Sequence, residues 1–94
     1  MSMINVLNHA ESILERMEEV VLEVEDEAQT IQALKIRKQY QEQYENYEKK
    51  FEAAKKYSDY MQWFGDDVEQ LEEQMQQTEE LFFDLPGIKG KFLP

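Results

Sequence analysis

The chain has 94 residues, 41% of them hydrophobic and 33% charged, with 21 acidic side chains against 10 basic ones and a net charge of −11. That length supports one small domain or one extended helical unit, and the apolar content is too high for a disordered chain. Cysteine is absent, which excludes disulfide frameworks, thiolate zinc sites and thiol nucleophiles.

The opening residues MSMINVLNHAES show no basic region followed by an apolar core, and no apolar run approaches the roughly 20 residues of a membrane span. The expectation is a soluble cytoplasmic protein, in the host cytoplasm if the gene is phage-encoded. No glycine or proline precedes Gly65, which favours helix throughout that stretch.

Helix one is expected over about residues 2–26. Its stripe is Leu7, Ala10, Leu14, Met17, Val21, Val24, Ala28 and Ile31, with alternating steps of three and four. Such spacing gathers side chains on one helix face. Continuing that register puts Lys35, Lys38 and Glu42 on the apolar face, and the stripe instead resumes at Tyr40, offset by two within the heptad. Neither a stutter nor a stammer gives that offset. A turn near residues 26–32 explains it, and so does a long helix changing faces. Asp26 with Gln29 forms a variant capping box and favours the turn.

Helix two is expected over about 28–64. It carries the stripe Tyr40, Tyr44, Tyr47, Phe51, Ala54, Ser58 and Met61, and a parallel row of Tyr57, Tyr60 and Phe64. Eight of the chain's eleven aromatics lie between residues 40 and 64, Trp63 included. Either these fill a core against both neighbouring helices, or Tyr40, Tyr44, Tyr47, Phe51, Tyr57, Tyr60 and Trp63 form a partner-binding face. Seven basic residues share this helix with five acids.

Gly65 reads as a helix stop, Asp66 as the next N-cap and Glu69 as its capping-box partner. Helix three is then expected over about 67–84, with Val68, Leu71, Met75, Thr78 and Phe82 on its buried face and Pro86-Gly87 beyond its end. Residues 86–94 are left as a C-terminal tail, whose Ile88, Phe92 and Leu93 either fold back or dock elsewhere. The expected fold is all-α: a single helical domain over residues 1–85, a three-helix bundle or hairpin arrangement with a long central helix and coiled-coil-like packing.

Trp63-Phe64-Gly65 resembles the Trp-x-Gly turn of the small helical-hairpin proteins exported by type VII secretion systems. The resemblance covers three residues and general helicity. The arms here are unequal, and no Tyr-x-x-x-acid signal follows Gly65, so no family is assigned from it.

Catalytic and metal chemistry is poorly supplied. His9 is the only histidine, there is no EF-hand loop, no nucleophile elbow and no phosphate-cradling glycine loop. No enzyme activity, metal or cofactor is expected. The acidic segments flanking the middle helix repel phosphate, which argues against direct nucleic-acid binding.

The expected function is therefore that of a non-enzymatic acidic protein-binding module, such as an adaptor, assembly factor or regulatory subunit, acting as a monomer or homodimer. The alternative is an acidic inhibitor: a phage or mobile-element nucleic-acid mimic, anti-defence protein, antitoxin or immunity protein. It would block the basic groove of a nuclease or DNA-binding enzyme with Glu11, Glu15, Glu18, Glu19, Glu23, Asp66, Asp67, Glu69, Glu72 and Glu73.

Overall fold

The computed structural model describes residues 2–89 and contains three helices: α1 (Met3–Leu22), α2 (Glu27–Lys56) and α3 (Tyr60–Phe83). Successive helices run antiparallel around one core, as a three-helix bundle of 48 × 23 × 17 Å. α2 has 30 residues, roughly 45 Å of helix, and spans the long dimension. It packs against both neighbours, which touch each other less.

α1 starts on Ser2, whose hydroxyl oxygen accepts a hydrogen bond from the Asn5 amide. It ends at Leu22, and the chain turns through residues 23–26. Asp26 then caps α2, its carboxylate accepting from the Gln29 N–H at 2.9 Å. The register change near residue 26 is thus a turn. Ala28 and Ile31, assigned by spacing to the first stripe, belong to the exposed start of α2. The α2 stripe in turn begins earlier than Tyr40, at Ala33 and Ile36.

The second turn lies elsewhere than expected. α2 ends at Lys56, not Phe64, because Tyr57 leaves helical geometry for an extended backbone (φ −117°, ψ 114°). Ser58 and Asp59 complete the turn, and α3 begins at Tyr60. Gly65 is an interior residue of α3 and Asp66 is not a cap; the Trp-x-Gly turn does not exist here. A glycine inside a helix costs about 1 kcal/mol relative to alanine, and the helix survives because its apolar face from Val68 onward is packed in the core. A Cβ built on Gly65 meets nothing within 4 Å.

The core joins Leu7, Ala10, Ile13, Met17, Val20 and Val21 of α1 to Ala33, Ile36, Tyr40 and Tyr47 of α2. From α3 come Val68, Leu71, Met75, Phe82 and Phe83, with Thr78 also buried there. All five residues expected on the inner face of α3 are buried. The Thr78 hydroxyl satisfies itself on the Gln74 carbonyl at 2.9 Å. Beyond α3, Leu85 and Ile88 fold back into the core. Gly87 makes this possible with φ +88°, and a Cβ there would collide with the Gln29 side chain. Phe92 and Leu93 lie outside the described residues. Among the described residues, no helix is long and apolar enough to cross a membrane.

Candidate functional site

The aromatic stripe divides in two. Tyr40 and Tyr47 are fully buried core residues. The Tyr47 hydroxyl donates to Glu72 Oε2 of α3 at 2.6 Å, and Tyr44, half-buried, donates to Glu11 Oε1 of α1 at 2.6 Å. All three phenols are held protonated well above their ordinary range. Burial is the main cause for each; the Glu79 charge adds to it for Tyr40, the bonded Glu11 and nearby Glu48 for Tyr44, and the bonded Glu72 for Tyr47. Tyr44 and Tyr47 thus tie α2 to α1 and to α3, and Tyr40 and Tyr47 lie inside the core.

The other aromatics gather at the far end of the α2–α3 hairpin. Between Tyr47 and Val68 no residue is buried. Trp63 is 74% exposed, Tyr57 57%, Met61 47% and Phe64 46%, while Phe51 and Tyr60 are half-buried. The apolar stripes nevertheless continue through this region without interruption. On α3, Met61 and Phe64 extend the series Val68, Leu71, Met75, Thr78 and Phe82 in alternating steps of three and four. On α2, Phe51 and Ala54 extend Ala33, Ile36, Tyr40, Tyr44 and Tyr47. Such stripes are written to be covered.

What is missing is the third layer. α1 is pinned to α2 by Tyr44 on Glu11 and by Arg37, whose Nε–H donates to the Leu14 carbonyl at 3.2 Å. Arg37 also reaches Glu18 at 3.7 Å. Arg37, Tyr44 and Phe51 are seven residues apart, so they share the flank that faces α1. Gly65, Glu72 and Glu79 are likewise heptad-spaced on α3, and Glu79 contacts His9 of α1 at 3.1 Å. α1 begins at Met3, about 12 Å before Glu11 along its axis. Past that level Ala54, Met61 and Gly65 face a position that α1 does not reach. Trp63 sits on a different flank of α3 from this stripe, five residues from Val68. Tyr60 and Phe64 stack on each other with centroids 4.9 Å apart. The Lys55 ammonium lies 4.8 Å from the Phe51 ring and that of Lys56 5.5 Å from the Tyr57 ring.

The acidic residues are not one surface. Glu11, Glu18 and Glu72 are engaged within the chain by Tyr44, Arg37 and Tyr47. Glu15 and Glu19 are exposed on α1, Glu23 just past its end, and Asp66, Asp67, Glu69 and Glu73 on α3. A groove of about 570 Å³ between α1 and α3 is lined by Val6, His9, Tyr40 and the glutamates Glu69, Glu72, Glu73, Glu79 and Glu80. Among the described residues, no group of acidic and histidine side chains has the geometry to hold a metal ion.

Sequence reasoning missed the exposed tip as a unit because it placed Tyr57, Tyr60 and Trp63 on α2. The signal was present: Lys55-Lys56 suits the last turn of a helix, and Ser58-Asp59 suits the start of another. No known protein-family model, no curated protein and no solved structure matches the chain.

Proposed function

We propose that the protein is a non-enzymatic protein-binding module whose contact surface is the distal end of the α2–α3 hairpin. One observation supports this most: two apolar stripes that are buried below Tyr47 and Val68 run on into a region where, among the described residues, none is buried. A helix laid on that region would continue the α1 layer and dock on Phe51, Ala54, Met61 and Phe64, in the manner of a helix seated in a hydrophobic groove. Aromatic side chains with lysines beside them suit such a contact. An adaptor, assembly factor or regulatory subunit fits a chain built this way.

A photo-reactive amino acid placed at Phe64 should form an adduct with a polypeptide inside the source cells. The same group at Glu19, on the acidic outer face of α1, should not. No adduct at either position removes this reading. An adduct at Glu19 alone would favour the second reading.

That second reading is the acidic inhibitor. It draws on the exposed carboxylates Glu15 and Glu19 of α1 and Glu23 just past its end, four residues apart, and on Asp66, Glu69 and Glu73 of α3. Binding of this kind weakens as salt rises and is displaced by nucleic acid. Glu11, Glu18 and Glu72 contribute less to it, since Glu11 and Glu72 already accept intrachain hydrogen bonds and Glu18 pairs with Arg37.

A further inference from the structure

The distal surface has a charge pattern that selects its occupant. Residues 48–67 carry five acids and four bases, so this region holds only −1 of the chain's −11. Two copies of so acidic a protein can approach there with less repulsion than along α1 or the rest of α3. The near-neutral balance also gives no attraction to an anionic lipid surface.

Within the tip the charges are separated by limb. The α2 limb, residues 48–56, carries Lys49, Lys50, Lys55 and Lys56 against Glu48 and Glu52. The α3 limb, residues 59–67, carries Asp59, Asp66 and Asp67 and no base. One limb is basic and the other acidic, on the two sides of one apolar strip. Such a surface is complementary to itself after a two-fold rotation, which sets each basic limb beside the other copy's acidic limb.

Resting on the reading of the tip as a protein-binding surface, we propose that its partner is a second copy of this chain. The two hairpin tips pack face to face as a four-helix layer. Phe51, Ala54, Met61 and Phe64 of each copy fill the position that α1 leaves open in the other. Gly65 lies on the flank facing that position, and a Cβ there meets nothing within the chain. Its lack of a side chain lets a second backbone come close. The overlap covers only about two helical turns, so the association is weak and reversible, at the small end of specific interfaces.

Charge exchange tests this directly. One variant carries Lys55→Glu with Lys56→Glu, the other Asp66→Lys with Asp67→Lys. All four side chains are exposed, and retained helix content by circular dichroism establishes that each variant folds. Sedimentation equilibrium from micromolar to millimolar protein should show the wild type in monomer–dimer exchange. Each variant alone should associate at least about tenfold more weakly, because like charges then face each other across both halves of the contact. An equimolar mixture of the two should regain dimer, since both halves become attractive again. Phe64→Ser should abolish dimer without changing helix content.

A wild type that stays monomeric at millimolar concentration overturns the second copy as partner. The reading of the tip as a binding surface is judged separately, by the Phe64 cross-link. A dimer that ignores all of these substitutions overturns the tip as its interface, and a mixture that stays monomeric overturns the two-fold pairing of limbs.

Discussion

The lower half of the bundle has three layers and the upper end has two, and the same two stripes run through both. Below Tyr47 and Val68 the stripes join the α1 face in one core, and the phenols of Tyr44 and Tyr47 are bonded to Glu11 and Glu72. Above that level residues of equal apolarity stay half-exposed. Apolar spacing therefore records which faces are meant to be covered, and the length of the neighbouring helix decides which are covered within the chain.

Truncation should separate the halves most sharply. Tyr47→Ala empties a fully buried site and should cost about 3–5 kcal/mol, measured by denaturant unfolding. Phe51→Ala, one turn further along the same stripe, should cost only roughly 1–2 kcal/mol, in proportion to its partial burial. Equal costs would mean that the distal end is as well packed as the core.

Alkaline pH should attack the lower half next. Tyr40 and Tyr47 have folded-state pKa values raised above their ordinary value near 10. The unfolded chain then releases these protons first as pH rises. Their contribution to stability is complete below about pH 10 and declines above it, by up to about 1.4 kcal/mol per pH unit for each tyrosine. Phenolate absorbance should appear together with loss of helix. Ionisation of all five tyrosines before unfolding would contradict the burial of these two.

A smaller effect belongs to the turn that starts α2. Asp26→Ala removes the acceptor for the Gln29 amide and should cost about 1 kcal/mol. The smallest effect should be a gain. Gly65→Ala adds a methyl group to open space in a helix interior and should stabilise the monomer by about 0.5–1 kcal/mol, seen as a raised midpoint in dilute solution.

Much of the lower half was legible in the sequence. The α3 stripe from Val68 to Phe82 could be read directly, because a polar background set it off. Asp26 with Gln29 marked the first turn, since a cap uses a local bond that spacing reveals. The second turn was not legible. Gly65 has the chemistry of a helix end but sits inside α3, where the packing of the helix from Val68 onward outweighs its propensity. Tyr57-Ser58-Asp59 turns the chain without glycine or proline, and its cap has no side-chain bond. With the boundary misplaced, Met61 and Phe64 were assigned to the wrong helix. The tip could not be recognised because its exposure depends on where α1 starts relative to α2, a tertiary fact that no local pattern carries.

Amide hydrogen exchange measured as a function of protein concentration tests the central claim most directly. In dilute solution, amides of residues 52–65 should exchange through local openings of lower free energy than those of residues 33–47 and 68–82. Their protection should rise with concentration as the second copy covers the tip, while that of the lower half stays constant. Protection that is uniform along α2 and α3 and independent of concentration would contradict the account.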